Sequence, residues 1–119
     1  MSFDPDCIFC KIAAGTIPSR KVYEDENFLA FHDIQPKAPL HLLLIPKIHI
    51  PSLQQVDATH TQLLGKMLVL ASRLAAENGA REGFRTMINT GRAGGQEVYH
   101  LHLHILANST VAGAAGSTS

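Results

Sequence analysis

The segment Tyr99-His100-Leu101-His102-Leu103-His104-Ile105-Leu106 alternates imidazole and aliphatic side chains with a period of two. A helix would scatter the two sets around its circumference, whereas a strand sends them to opposite faces. A β-strand over 98–106 therefore places His100, His102 and His104 on one face, successive rings about 7 Å apart at strand rise. Leu101, Leu103 and Ile105 face a core. Imidazoles could simply occupy the polar side of an edge strand, but Thr, Lys or Glu would satisfy solvent equally well. Three groups that titrate near neutrality suit nucleophilic or proton-transfer chemistry. They would equally suit a three-histidine metal site.

The rest of the chain frames that strand as one α+β domain. Its 119 residues are 45% apolar and 17% charged, enough for one modest core. Ten basic residues balance ten acidic ones and no basic cluster stands out, which argues against nucleic-acid binding. No apolar run approaches the ~18 residues that span a bilayer. The start, MSFDPDCIFCK, is acidic and has no small-residue cleavage signal, so a cytoplasmic protein is expected. Candidate strands are Lys21–Glu24, Phe28–His32, His41–Pro46, Phe84–Asn89 and Val98–Leu106. HLLLIP is continuously apolar and expected to be buried on both faces. A short helix over Cys7–Ala14 closes at Gly15. A longer one, opened by a capping box at Thr59–Gln62 and stopped by Asn78-Gly79, carries the stripe Leu63, Leu64, Met67, Leu68, Ala71, Leu74 and Ala75. Val69 and Leu70 fall outside that stripe and suggest a second buried face. Order and composition predict a five-stranded antiparallel sheet with two helices. One domain over 1–107 and a flexible tail over 108–119 are expected, since NSTVAGAAGSTS has little to bury.

Two further motifs carry chemistry. Asn89-Thr90-Gly91-Arg92-Ala93-Gly94-Gly95-Gln96 leads into the histidine strand. Read alone it is a hairpin turn; beside histidines, its backbone N–H groups form a concavity for an anion. Loop and strand together point to a phosphate ester or phosphoramide. Cys7-Ile8-Phe9-Cys10 lacks the flanking strand and long helix of a redox motif. Its spacing suits one tetrahedral zinc, or a pair of reduced thiols that needs no metal.

The string HLHLHIL resembles the histidine triad signature. With AFHDIQPKAPLHLLLIPKIHI and INTGRAGGQEVYHLHLHIL, the chain is similar to the Hint branch of that family from about Cys7 to Leu106. The resemblance implies a purine nucleoside phosphoramidase that hydrolyses the P–N bond of adenosine or guanosine 5′-phosphoramidates. His102 matches the nucleophile, which forms a nucleotidyl-histidine and needs one ring nitrogen free and the other held by a nearby backbone carbonyl. His104 matches a residue at the α-phosphate and leaving group, while His100 and His41 match flanking histidines that support the nucleophile. Asn89 and Gly95 match phosphate-side contacts, and Asp33 matches the carboxylate that accepts both ribose hydroxyls. Ile34, Ile8, Phe9, Ile12, Phe31 and Leu43 correspond to the base and ribose wall, with plain core the other reading. Zinc-bearing members of the wider family imply Cys7, Cys10, His49 and His100 as a structural zinc site, with no cofactor needed for catalysis. The resemblance also implies a homodimer with a sheet continuous across it, acting on a nucleoside phosphoramidate or monophosphate.

Two positions depart from the branch. Glu97 stands where many Hint proteins carry Ser or Thr; a carboxylate repels phosphate oxygens, so it is expected to point away or be paired. The tail lacks the aromatic, proline-containing ending that shapes leaving-group preference in related dimers. His32 and His60 are expected to be surface or satisfied residues. The competing functions are a dinucleoside polyphosphate hydrolase of the Fhit type, a nucleotide-binding regulatory module, and a zinc protein in which the triad itself holds metal.

Overall fold

The computed structural model describes residues 3–108, so the expected tail lies, beyond Asn108, outside the described residues. Five strands, β1 (Lys21–Glu24), β2 (Phe28–His32), β3 (Leu40–Pro46), β4 (Arg85–Met87) and β5 (Leu103–Ala107), form one sheet in the order β1-β2-β3-β5-β4. Every pairing is antiparallel, as expected. Helix α1 (Ile8–Ala13) precedes the sheet, and α2 (Thr61–Glu77) connects β3 to β4. Among the described residues no helix is long and apolar enough to cross a membrane.

The alternation of β2, β3 and β5 divides the interior into two layers. Phe28, Ala30, Leu40, Leu42, Leu44, Leu103 and Ile105 pack on α2 with Met67, Leu70, Ala71 and Leu74. Leu29, Phe31, Leu43 and Ile45 face the other way, onto Phe9, Cys10 and Ile12 of α1. All seven residues of β3 are buried, because both sheet faces are covered and both strand edges are paired. Such a strand reads as a continuous apolar run, in keeping with HLLLIP.

Several local expectations are corrected. The α2 core positions are Met67, Leu70, Ala71, Leu74 and Ala75; Leu68 is 55% exposed and Val69 73%. LLGKMLVL is apolar almost all round, so its phase was ambiguous by one residue. The capping box is not at Thr59. Asp57 accepts from the Thr59 N–H and the His60 ring accepts from the Asp57 N–H, closing a 3₁₀ turn over Ala58–His60 that leads into α2. Thr59 Oγ1 itself donates to Asp57, so its side chain is already committed. Strand β5 starts at Leu103 rather than Val98, because the Leu101 N–H donates to the Ile50 carbonyl, 2.7 Å away, in place of a ladder partner. Strand β4 is correspondingly short, ending opposite His104.

Candidate functional site

The three imidazoles do share a face, the one that α1 covers. Phe9 of α1 meets His102 and His100 edge-on, with ring centroids at 5.1 and 6.0 Å. The ring centroids of His102 and His104 are 5.1 Å apart, inside the ~7 Å that strand rise gives alternate residues.

Hydrogen bonds to the main chain fix the His102 and His41 tautomers, and His41 in turn fixes that of His104. His102 Nδ1 lies 2.7 Å from the His100 carbonyl, which can only accept, so Nδ1 carries the proton and Nε2 keeps its lone pair. This is the arrangement expected of a nucleophile. His41 Nδ1 accepts from the Lys37 N–H at 3.0 Å, so its proton sits on Nε2, 2.9 Å from His104 Nδ1. His104 is thereby left with a proton on Nε2. His41 thus orients His104, not His102, and His100 supports His102 through its carbonyl while its ring turns elsewhere.

Burial pushes all four imidazoles towards the neutral form. Desolvation lowers His102 below the ordinary histidine value, only partly offset by its backbone bond and by the carboxylates of Asp33 and Glu97. His104 falls to about 4, first through desolvation and then through the neighbouring His102 and His41. His41 is also lowered by burial, which outweighs Asp33. Its 3.4 Å approach to the Asp33 carboxylate is therefore a contact with a neutral ring and not an ion pair.

These groups open onto a cavity of about 490 Å³, within the size range of small-ligand sites. His102, His104, His41, Asp33, Asn89 and Gly95 all line it, and so do Ile8, Phe9, Ile12, Phe31, Leu43 and Ile34. For Phe31 and Leu43, 4% and 6% exposed, core and wall are one and the same role. Ile34 is a rim residue at 92% exposure. One Asp33 oxygen accepts from the Gln35 N–H, which fixes the carboxylate beside the cavity. Glu97 does not point away: it is exposed, lines the cavity, and its charge is felt at His102. His32, expected to be a surface or satisfied residue, lines the cavity too. Sequence reasoning missed Lys37 and Arg85, two cations on the same wall. The same-face spacing of Arg85 and Met87 in a strand was the available signal.

The glycine loop is held from both sides. Asn89 Nδ2 donates to the Gly94 carbonyl at 2.8 Å. The buried Gln96 side chain accepts from the Gly91 N–H at 2.9 Å and donates to the Pro51 and Val98 carbonyls at 2.7 and 2.9 Å. Gly94 has no room for a side chain: a Cβ would collide with the Thr90 carbonyl oxygen and lie 2.8 Å from the Thr90 nitrogen.

Behind His102 lies a second cluster. His100, fully buried, donates from Nε2 to the Pro46 carbonyl at 2.7 Å and turns Nδ1 towards Cys7 Sγ at 3.3 Å and Cys10 Sγ at 3.5 Å. His49 Nδ1 stands 3.3 Å from Cys10 Sγ. The four donor atoms lie within 4.8 Å of one another. Bonds of ~2.3 Å to sulfur and ~2.05 Å to nitrogen put tetrahedral S and N ligands about 3.5 Å apart, so this donor set fits zinc. The Asp4 N–H and Cys10 N–H point at the Cys10 and Cys7 sulfurs, which suits thiolates. Without metal, burial pushes the Cys10 thiol up to about 11.

A family model described as "Scavenger mRNA decapping enzyme C-term binding" matches residues 6–118. Over 102 residues the chain is 49% identical to the purine nucleoside phosphoramidase of Escherichia coli (strain K12), covering 85% of this chain and 86% of that one. It is similar to the crystal structure of a HIT family hydrolase from Legionella pneumophila Philadelphia 1, with TM-score 0.84, 50% identity, and 87% and 94% of the two chains covered. A Zn-bound histidine triad family protein from Mycobacterium smegmatis matches with TM-score 0.75 at 36% identity, covering 87% of this chain and 76% of that one. These likenesses run through most of the elements that build the cavity and the triad, and the chain belongs to the histidine triad (HIT) family, as kin to its hydrolases.

Proposed function

We propose that the protein is a purine nucleoside phosphoramidase that hydrolyses adenosine or guanosine 5′-phosphoramidates through a nucleotidyl-His102 intermediate. The observation that carries this reading is the His102 ring, whose Nδ1–H is tied to the His100 carbonyl so that Nε2 is an unprotonated nucleophile at the cavity. Nε2 attacks the α-phosphorus as the P–N bond breaks, and the amine departs with a proton drawn from solvent. Water then attacks the phosphorus of the adduct, the Nε2–P bond breaks, and the water's proton returns to solvent, releasing the nucleoside 5′-monophosphate and restoring the ring. His104 presents Nε2–H to the leaving nitrogen or the phosphoryl oxygens. The Gly91, Gly94, Gly95 and Gln96 N–H groups, expected to cradle an anion, are instead taken within the loop. Charge on those oxygens therefore falls to the second Asn89 Nδ2 hydrogen and to His104, and the rate gain comes from placement and fixed dipoles. Asp33 takes the ribose hydroxyls, while Phe9, Ile12, Phe31, Leu43 and the rim residues Ile8 and Ile34 take the sugar and base.

Glu97 favours this reading over a dinucleoside polyphosphate hydrolase. Its exposed carboxylate on the cavity wall repels a polyanionic leaving group and tolerates an amine. A structural zinc on Cys7, Cys10, His49 and His100 belongs to the proposal, as does a homodimer that covers Val69 and Leu68 of α2 and continues the sheet. The reaction itself needs no cofactor. Cytoplasmic operation completes the proposal.

The test is incubation with a fluorogenic adenosine phosphoramidate, with intact-mass detection of the adduct. Turnover with an adenylylated His102 is expected, and His102→Asn should lose turnover by several orders of magnitude while still binding AMP. Near-native rates in His102→Asn would overturn the covalent route.

A further inference from the structure

His100 has two ends with different partners. Its main-chain carbonyl takes the His102 Nδ1–H at 2.7 Å, while its ring faces both cysteine sulfurs and is braced by the Pro46 carbonyl. A ligand pulling on the ring therefore acts on the same residue whose carbonyl sets the orientation of His102. A second path runs through α1. Cys7 caps that helix and Cys10 sits inside it. Ile8, Phe9 and Ile12 of the same helix face the cavity, with Phe9 resting on both His100 and His102. His49, from the segment after β3, would complete the tether by binding the metal that Cys10 binds. Four ligands from three separate segments thus converge behind the reactive ring.

We propose that the Cys7–Cys10–His49–His100 cluster is a metal-controlled positioning device, in which bound zinc fixes, through the His100 main chain and α1, both the orientation of His102 and the wall of the cavity. His100 is then a positioning residue that joins two sites. The inference rests on the reading of the cavity as a nucleotide site with His102 as its nucleophile. Zinc binding displaces the two thiol protons to solvent and leaves the His100 Nε2–H bond to Pro46 intact, so the ring is held from both nitrogens at once. Without metal, only sulfur–nitrogen hydrogen bonds close the cluster, and these are weaker. Coupling between sites is reciprocal: if zinc tightens nucleotide, nucleotide must tighten zinc by the same factor.

The experiment compares the full chain loaded with Zn²⁺ and stripped by a chelator. Nitrogen-15 NMR follows solvent exchange of the His102 Nδ1–H, calorimetry gives the AMP Kd, and a chromophoric chelator gives zinc affinity with and without AMP. Metal removal should speed the exchange at least tenfold and weaken AMP about fivefold or more, and saturating AMP should raise zinc affinity by that same factor. His49→Asn, which alters a ligand remote from His102, should displace the zinc midpoint of all these changes to higher concentration. If the stripped chain unfolds, the Cys7→Ser/Cys10→Ser variant supplies the metal-free state, because serine removes both thiolates while keeping a small polar group beside His100. Failure to bind Zn²⁺, or equal exchange and equal AMP affinity in the two states, overturns the proposal. A zinc-dependent exchange rate with no AMP binding in either state would leave the link to the ring standing and bring down the nucleotide reading instead.

Discussion

Gln96 is the residue through which the loop's geometry can be tested most sharply. Its side chain is 7% exposed and makes three hydrogen bonds, one accepted from Gly91 and two donated, to Pro51 and Val98. Gln96→Ala removes all three and strands the buried Gly91 N–H. At ~1 kcal/mol for each bond the loss is about 3 kcal/mol, or about 10 °C in Tm for a chain of this length. Gln96→Glu is nearly isosteric yet should be worse at pH 8. The carboxylate keeps the Gly91 bond but sets an anionic oxygen against two carbonyl oxygens in a dry site, raising the cost to about 4 kcal/mol. Such a carboxylate has a raised pKa, and protonation restores one donor, so acidification should bring Gln96→Glu back towards or past Gln96→Ala. Thermal and urea unfolding of both variants at pH 8 and pH 5 reads this ordering. Turnover of the phosphoramidate should fall in parallel, because the loop that carries Asn89 and Gly95 to the cavity wall has lost its brace. Gln96→Glu unfolding within ~0.5 kcal/mol of the parent at pH 8 would refute the account of Gln96 as the loop's brace.

Other consequences follow from the same geometry. Burial holds His102 below the ordinary histidine value, so the acid limb of kcat/KM should lie below pH ~6.5, with activity lost as pH falls through it. Replacing Glu97 with Gln removes a charge that raises His102 and should move that limb lower still. Stability runs the same way: His104, held at about 4, takes up protons less readily folded than unfolded, so stability is full above ~6.5 and drains as pH falls towards 4. Gly94→Ala forces the Thr90 backbone to move and should cost about 1–3 kcal/mol in a melt, with a matching drop in turnover. Asp33→Asn should weaken AMP binding, read by calorimetry, more than it slows adduct formation.

What the sequence revealed and what it hid have separate physical causes. Lys21–Glu24 and Phe28–His32 were legible to the residue, and β3 to within one, because strand patterning there is local. The same-face grouping of His100, His102 and His104 was legible from period alone. The early departure of His100-Leu101 from the ladder was not, since it depends on the Ile50 carbonyl, fifty-one residues upstream of Leu101. The convergence of His49 and His100 on the cysteine pair came from resemblance, not from pattern, and the structure brings all four together. Arg85 and Lys37 look like ordinary surface charges in one dimension; only the pairing of β4 with β5 and the turn before β3 carry them to the cavity. The division of labour within His100, main chain to His102 and ring to sulfur, has no signature in sequence at all.

The sheet separates two sets of constraints. Residues facing α2 answer only to packing, whereas on the α1 side the chain must also leave a cavity, orient three rings and keep together four side chains able to hold a metal. Substitutions on the α2 side can therefore be screened by thermostability alone, and compensating changes there should combine almost additively with changes in the site. On the α1 side the same screen would mislead. A larger residue at Ile12 or Leu43 that fills the cavity would raise the melting temperature and extinguish the chemistry, so stabilising libraries for this chain belong on one face of the sheet and selections for new substrates on the other.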